Sequence, residues 1–225
     1  MENLELESLL NRYAAFIFDM DGTLLDSTEA IRKVSKVWCQ KHGLDLEFVL
    51  KTCHGSRLLD IIPSFAPHLD AQKEQDDFVS QEAVVTTGIV EIAGANQLLQ
   101  FLNQIEKPWG IATSSPVPVA GVRLNAAQLP EPDVFITGDQ VTRGKPDPEH
   151  FELAAQALNQ PTNQCLVFED SHNGVKGALL AGCDVIVIGD HVDIKHPRII
   201  GRINSYQEIK SQLSHQPFSL QVATA

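Results

Sequence analysis

Acidic, hydroxyl and lysine side chains stand at four separate places in this sequence, three of them directly after short apolar runs. Asp19 follows the apolar run 14–18, and similar runs precede the later hydroxyl and acidic groups. The four polar segments are Asp19-Met20-Asp21-Gly22-Thr23, Thr113-Ser114-Ser115-Pro116, Gly144-Lys145-Pro146-Asp147-Pro148 and Glu169-Asp170-Ser171. Open α/β sheets bind ligands at the carboxyl ends of their strands, so the four segments are expected around one site.

The residue types in these segments suit the transfer of a phosphoryl group to a carboxylate. A phosphate ester is a dianion, and a carboxylate approaches it only when cations cancel the repulsion. Asp19, Asp170 and Glu169 offer hard oxygen ligands for a magnesium ion. Lys145 adds a second, fixed cation beside the nucleophile. We therefore predict a magnesium-dependent phosphatase that attacks its substrate with Asp19.

Other residues of the same segments fit the remaining steps of this chemistry. Thr113 and the amides of Ser114 and Ser115 stand where a strand leads toward a helix, and they are suited to bind phosphoryl oxygens. Asp21 is two residues from Asp19, close enough to protonate the leaving alcohol and later to activate water. Gly22 permits the tight turn that folds Asp21 over the site.

Apolar runs alternate with helical patterns along most of the chain, which predicts an α/β fold with a Rossmann-like, doubly wound parallel sheet. The runs that we interpret as strands are 14–18, 109–112, 134–136, 165–168 and 185–188. One long interval without a clear strand carries helical stripes instead, such as Ile31, Val34, Val37 and Trp38. We predict that residues 28–90 form an inserted α-helical cap domain, and that residues 1–27 and 91–225 form the catalytic core.

The composition excludes several classes of partner. The formal net charge of −12 argues against nucleic acid and against an anionic membrane surface. No stretch approaches the roughly 18 to 20 apolar residues of a membrane helix, and the N-terminus lacks a basic signal-peptide region. The four cysteines show no metal-binding spacing, which indicates reduced core residues. We expect a cytoplasmic monomer, with a disordered tail from about Ser214.

The segment Asp19-Met20-Asp21-Gly22-Thr23 resembles the DxDGT signature of the haloacid dehalogenase superfamily of phosphohydrolases. Thr113, Lys145 and the pair Glu169-Asp170 follow in the order and spacing of that family. The resemblance implies that Asp19 is the nucleophile and Asp21 the general acid and base. It also implies that Thr113 binds phosphate, that Lys145 neutralises charge, and that Asp19, Asp170 and the main-chain carbonyl of Asp21 hold magnesium. The helical insertion is similar to the small α-helical cap of the family.

A short cap segment indicates the class of substrate. His54-Gly55-Ser56-Arg57 is similar to the cap of glycerol-3-phosphate and 2-deoxyglucose-6-phosphate phosphatases. This similarity implies a small phosphorylated metabolite, a sugar or polyol phosphate. His54, Gly55 and Arg57 are candidate substrate-binding residues, with Arg57 reaching down from the cap to a hydroxyl or phosphate group.

Two alternatives stay open at this point. One is a sugar phosphomutase similar to β-phosphoglucomutase, but that enzyme carries a histidine five residues after the aspartate corresponding to Asp26, where this sequence has Ile31. The other is a non-catalytic phosphate-binding or scaffold protein, which has no need of both a nucleophile and an acid. Asp26, Asp139 and Asp147 are interpreted as ordinary turn or cap residues.

Overall fold

The structure is a computed structural model that describes residues 5–209. Its strands, in chain order, are β1 (Ala15–Phe18), β2 (Leu25–Asp26), β3 (Val90–Glu91), β4 (Trp109–Ala112), β5 (Val134–Ile136), β6 (Cys165–Glu169), β7 (Asp184–Ile188) and β8 (Ile199–Ile203). Its helices are α1 (Leu6–Arg12), α2 (Thr28–His42), α3 (Leu46–Cys53), α4 (Leu58–Phe65), α5 (Ala71–Glu82), α6 (Ala95–Gln104), α7 (Val117–Ala126), α8 (Glu149–Ala157) and α9 (His172–Leu180). The tail predicted from about Ser214 lies outside the described residues.

Six of these strands form one parallel sheet in the order β5-β4-β1-β6-β7-β8. Strand β1 lies inside the sheet, where Phe16 is opposite Trp109 of β4 and Leu166 of β6. Strands β1, β4, β6 and β7 are buried along their whole length, as expected for apolar runs covered on both faces. The predicted doubly wound α/β fold is confirmed. Strand β8 was not predicted, because Gly201 and Arg202 interrupt its apolar run.

The side chains of β1 enter two apolar layers in alternation. Phe16 and Phe18 pack in the layer that includes α6 and α7, whereas Ala15 and Ile17 pack in the layer with α8 and α9. Successive side chains of a strand point to opposite faces of its sheet. Helices therefore cover the sheet on both sides and hold β1, and with it Asp19, rigidly in the centre.

Helices α2 to α5 lie between β2 and β3, two short strands that pair antiparallel. We call these four helices and their loops the cap. They share an apolar cluster around Trp38, whose indole N–H donates to the buried carboxylate of Glu74 at 2.8 Å. Val34 and Trp38 of the predicted stripe are buried, but Val37 is exposed because it lies on the flank of α2, away from this cluster. None of the helices within residues 5–209 is long and apolar enough to cross a membrane.

Two polar residues near the site act as ordinary helix-cap or turn residues. Ser171 directly precedes α9 and accepts a hydrogen bond from the amide of Gly174 at 3.0 Å. The carboxylate of Asp26 accepts from the amide of Thr28 at 2.9 Å, at the start of α2. The hydrogen bond of Asp26 gives this acid a local structural role, which the sequence alone cannot distinguish from a catalytic one.

Candidate active site

The candidate site lies where β4, β1 and β6 end side by side. Asp19 is the first residue after β1, Thr113 the first after β4, and Asp170 the first after β6. Because β1 lies between β4 and β6, Asp19 lies between Thr113 and Asp170. Its amide donates to the carbonyl of Phe168 at 2.9 Å, which continues the sheet to the edge of the site.

Lys145 joins the predicted nucleophile to a second carboxylate. Its Nζ atom donates to Oδ1 of Asp19 at 2.5 Å and to Oε1 of Glu169 at 2.9 Å. The lysine side chain is fully buried, as is that of Glu169. The loop before α8 therefore delivers one ammonium group from far along the chain to the end of β1, as the sequence predicts.

The ionisation of these groups reflects burial and close charges. Burial raises the pKa of Asp19 well above its ordinary value, Lys145 partly offsets this effect, and the charges of Glu169 and Asp170 add to it. Burial by itself disfavours the ammonium form of Lys145, but the charges of Asp19 and Glu169 outweigh it and raise the lysine pKa. The neighbouring carboxylates therefore stabilise the charge of Lys145, whereas burial and the nearby acids oppose the charge of Asp19.

Asp170 is held by the loop that carries the DxDGT signature and by the cap. Thr23 Oγ1 donates to Asp170 Oδ1 at 3.1 Å, and His54 Nε2 lies 3.0 Å from Asp170 Oδ2. Gly22 has a φ of +86°, and a Cβ atom there would lie 2.0 Å from Asp170 Oδ2. Only glycine permits this approach. The hydrogen bond to Asp170 raises the pKa of His54, against the opposing effect of burial.

The carboxylates at this edge fit a magnesium ion. Asp19, Glu169 and Asp170 are three buried carboxylates, and the charges of Glu169 and Asp170 act on Asp19. Magnesium characteristically takes one or two carboxylates together with water and substrate oxygens. Both oxygens of Glu169 accept from protein groups, Oε1 from Lys145 and Oε2 from the amide and hydroxyl of Ser171 at 2.6 and 3.0 Å, and its role as a metal ligand stays a prediction. Asp170 accepts from the hydroxyl of Thr23 and lies beside His54 of the cap, and Asp19 bonds Lys145 through Oδ1, so these two side chains fit the ion better. Within residues 5–209, no three His, Cys, Asp or Glu side chains form a ready ligand set.

The carboxylate of Asp21 points to a different set of donors. Oδ1 accepts from Ser27 Oγ at 2.6 Å and from Arg123 Nη1 at 2.9 Å, and Oδ2 accepts from Ser115 Oγ at 2.8 Å. Both carboxylate oxygens are thus engaged by protein groups. If Asp21 binds the metal, it does so through its main-chain carbonyl, as the resemblance implies, and not through its side chain.

The hydroxyl residues after β4 lie at the same edge. Thr113 is buried, and its Oγ1 accepts from the amide of Ser115 at 3.1 Å. Ser114 Oγ donates to the carbonyl of Gly55 in the cap at 3.0 Å. Helix α7 begins just beyond, at Val117. The predicted phosphate-binding groups therefore face the site, and the serine hydroxyls also hold neighbouring parts of it.

The predicted cap loop lies directly on the core. Gly55 has a φ of +73°, and a Cβ atom there would lie 2.1 Å from Ser171 Oγ. Asn173 Nδ2 donates to Ser56 Oγ at 2.7 Å. Together with the contact between His54 and Asp170, these bonds place the loop over the carboxylates, so the structure shows the cap closed.

Arg57 does not point to a substrate position in this closed state. A guanidinium has five N–H donors, and those of Arg57 go to the carboxylate of Asp60 and to the carbonyls of Gly138, Val141 and Thr142. Its side chain is buried. These bonds fasten the cap to the core loop that precedes Lys145, and a contact of Arg57 with a substrate hydroxyl or phosphate would require some of them to break.

Sequence reasoning missed three residues of the site, Ser27, Arg123 and Glu82. Arg123 Nη2 donates to Glu82 Oε1 at 2.5 Å, and Arg123 also pairs with Asp21. The available signal is a lone arginine in the otherwise uncharged helix α7. Nothing in the sequence marks Glu82, which ends an acidic and polar helix like many surface residues.

The family model of haloacid dehalogenase-like hydrolases matches residues 13–182, and the chain belongs to this family. Hexitol phosphatase A of Escherichia coli (strain K12) is 39% identical over 189 residues, covering 81% of this chain and 86% of the relative. Glycerol-1-phosphate phosphohydrolase 2 of Saccharomyces cerevisiae is 32% identical over 191 residues, covering 80% of this chain and 76% of the relative. The predicted resemblance, and with it the prediction of an enzyme, is confirmed.

Solved structures agree on the fold. The crystal structure of CbbY from Rhodobacter sphaeroides in complex with phosphate superposes with a TM-score of 0.74 at 23% identity. The match covers 89% of this chain and 98% of that one. At this identity the likeness supports the architecture alone.

Proposed function

We propose that this enzyme is a magnesium-dependent phosphatase that hydrolyses small sugar or polyol phosphate monoesters through a phosphorylated Asp19. The observation that carries the proposal is the contact of 2.5 Å between Lys145 and Oδ1 of Asp19, at a strand end that also brings Asp170 to the site. A buried carboxylate beside a fixed ammonium, with a second acid next to it, is what attack on a dianion requires.

In the first step Asp19 attacks the phosphorus atom. Lys145 holds Oδ1 of Asp19, so we assign the attack to Oδ2. The Oδ2–P bond forms, the ester P–O bond breaks, and protonated Asp21 gives its proton to the leaving alcohol oxygen. Thr113 and Ser114 contribute hydrogen bonds to the phosphoryl oxygens. Asp19 and Asp170 would hold the magnesium ion, which would supply charge neutralisation for the dianion.

In the second step water releases the phosphate. Asp21, now a carboxylate, takes a proton from a water molecule that attacks the phosphorus. The bond between phosphorus and Asp19 breaks, inorganic phosphate leaves, and both aspartates return to their initial states. Lys145 again stabilises the carboxylate of Asp19 as it is released.

The substrate class is supported by the relatives. Their names specify a hexitol phosphatase and a glycerol-1-phosphate phosphohydrolase, and the two matches cover 81% and 80% of this chain. We also propose a cytoplasmic monomer that binds neither nucleic acid nor membranes, as the net charge of −12 favours.

The proposal is tested with a panel of sugar, polyol and aryl phosphates, assayed for phosphate release with magnesium and with EDTA. We expect release that requires magnesium and is abolished in Asp19→Asn. A matched control is Asp190→Asn, because the side chain of Asp190 is 91% exposed; it is expected to keep full activity. Full activity of Asp19→Asn would refute the mechanism.

The panel also decides between the alternatives. A phosphomutase would convert one sugar phosphate into its isomer faster than it releases phosphate. Ile31, on α2 of the cap, stands where the resemblance places the histidine of that mutase, and we therefore expect hydrolysis to be faster. A non-catalytic binding protein would bind esters from the panel with no turnover of any of them.

A further inference from the structure

Arg123 is a buried cation in helix α7 to which the proposed function assigns no role. It is the charged residue in a helix of otherwise uncharged residues, and its side chain is only 3% exposed. A buried guanidinium is tolerated in a folded protein only when its charge is paired and its donors are bonded. The partners of Arg123 therefore indicate what it does.

These partners come from both parts of the molecule. Arg123 Nη1 donates to Asp21 Oδ1 at 2.9 Å and to Ser115 Oγ at 3.1 Å, within the core. Arg123 Nη2 donates to Glu82 Oε1 at 2.5 Å. Glu82 is the last residue of α5 in the cap, and its side chain is 11% exposed. One buried side chain thus connects the proposed acid to the cap.

The same contacts restrict the orientation of Asp21. A carboxylate turns about its last bond with little resistance unless its oxygens are bonded. Ser27 and Arg123 hold Oδ1, and Ser115 holds Oδ2. Ser27 directly precedes α2, the first helix of the cap. Two of the three groups that hold the carboxylate are therefore connected to the cap.

Resting on the proposed role of Asp21 as general acid and base, we propose that Arg123 is a positioning residue that fixes the Asp21 carboxylate, and that Glu82 makes this contact depend on the closed cap. When the cap moves away, Glu82 leaves and water reaches Arg123. Ion pairs are much weaker in water than in a buried site, so Asp21 is released from its fixed orientation. Proton transfer is then efficient only while the site is closed.

Leaving groups of different basicity separate this role from a purely structural one. An alkoxide leaves only with a proton from the general acid, whereas p-nitrophenolate leaves readily without one. The value of kcat/KM reports the steps up to formation of phosphorylated Asp19. A misplaced Asp21 therefore lowers kcat/KM for alkyl phosphates much more than for p-nitrophenyl phosphate.

The experiment measures kcat/KM for p-nitrophenyl phosphate and for the best alkyl phosphate of the panel. The variants are Asp21→Asn, Arg123→Lys, Arg123→Met, Glu82→Gln and the double variant Arg123→Met/Glu82→Gln. A matched control is Arg32→Met, which removes an exposed ion pair with Glu47 in the cap. Urea unfolding of each variant measures stability separately from catalysis.

Asp21→Asn sets the scale, because general acid catalysis contributes about 10²–10⁴-fold. We expect the alkyl-to-aryl ratio of kcat/KM to fall about tenfold or more in both Arg123 variants, and in the same direction but less in Glu82→Gln. The double variant should be no worse than Arg123→Met, since the two residues act in one chain of contacts. Arg32→Met should keep the ratio of the wild type.

Several outcomes overturn the inference. An unchanged ratio in Glu82→Gln and Arg123→Lys, in a protein whose Asp21→Asn variant shows the selective loss, refutes the positioning role and leaves the proposed function intact. A rise in alkyl phosphate turnover would show that Arg123 holds Asp21 away from the substrate, which also refutes it. If the Arg123 variants do not fold, Glu82→Gln decides alone. If the wild type hydrolyses no ester, the proposed function fails first.

Discussion

Replacing Lys145 by methionine tests the electrostatic basis of the site through stability as well as activity. The substitution keeps most of the side-chain volume and removes the ammonium group that bonds Asp19 and Glu169 at 2.5 and 2.9 Å. Both carboxylates are then buried without their cation. Removal of one partner from a buried ion pair destabilises a protein by about 3–5 kcal/mol.

The size of this effect depends on pH in a direction that the site determines. Burial already raises the pKa of Asp19, and Lys145 opposes that rise, so the variant raises the pKa of Asp19 further. A group with a raised folded-state pKa contributes stability below its unfolded pKa and loses it as the pH rises through its folded pKa. Both proteins lose stability as Asp19 ionises, so the variant should be close to the wild type in acid, and the difference should grow once the pH rises above the raised pKa of Asp19 in the wild type.

Thermal unfolding in EDTA at pH 5 and pH 8 measures this difference without metal. We expect a loss of about 3–5 kcal/mol at pH 8, or roughly 6–20 °C for a chain of this size, and a smaller loss at pH 5. Phosphate release should be abolished at both values. Arg32→Met is the control, since its ion pair with Glu47 is exposed and should matter little. A loss that is the same at both pH values would refute the reasoning.

Two further substitutions test the local geometry of the site. Gly22→Ala places a Cβ atom 2.0 Å from the Asp170 carboxylate at a φ of +86° and should abolish magnesium-dependent turnover. The control is Gly43→Ala, at a φ of +67° with nothing within 4 Å, which should lose only about 1–2 kcal/mol in urea unfolding. Equal activity of the two variants would contradict the proposed crowding. Arg57→Met removes the bonds between the cap and the core loop 138–142, so it should raise KM and increase proteolysis within the cap. Arg32→Met should change neither quantity. An unchanged KM and cleavage pattern in Arg57→Met would show that Arg57 does not hold the cap closed.

The central strands and the edge where they end were predictable because each depends on a local pattern. Continuous apolar runs indicate strands buried on both faces, and β1, β4 and β6 have that pattern. Strand ends in such sheets meet at one edge, which brings Asp19, Thr113 and Asp170 together without knowledge of any contact. Lys145 follows from its place in a loop before a helix.

The features of the site that were harder to predict depend on which hydrogen-bond donors and acceptors are already paired within the protein. Glu169 was expected to bind metal, and the sequence did not predict that its oxygens also accept bonds from Lys145 and Ser171. Arg57 was expected to face a substrate, but three carbonyls and Asp60 take its donors. Pairings such as Arg123 with Glu82 join residues 41 positions apart. No periodicity encodes them, because they arise only when the cap lies on the core.

The cap reaches each chemical part of the site through a separate polar contact. His54 meets Asp170, Arg57 meets the loop that precedes Lys145, and Glu82 reaches Asp21 through Arg123. Such bonds are largely exchanged for bonds with water when the cap opens, so each adds little net stability while it specifies geometry. The contacts of His54, Arg57 and Glu82 thus specify the closed position of the cap without preventing it from opening. A substitution in the cap that changes the substrate specificity must therefore preserve these contacts. Without them, the enzyme would lose efficient proton transfer and charge neutralisation.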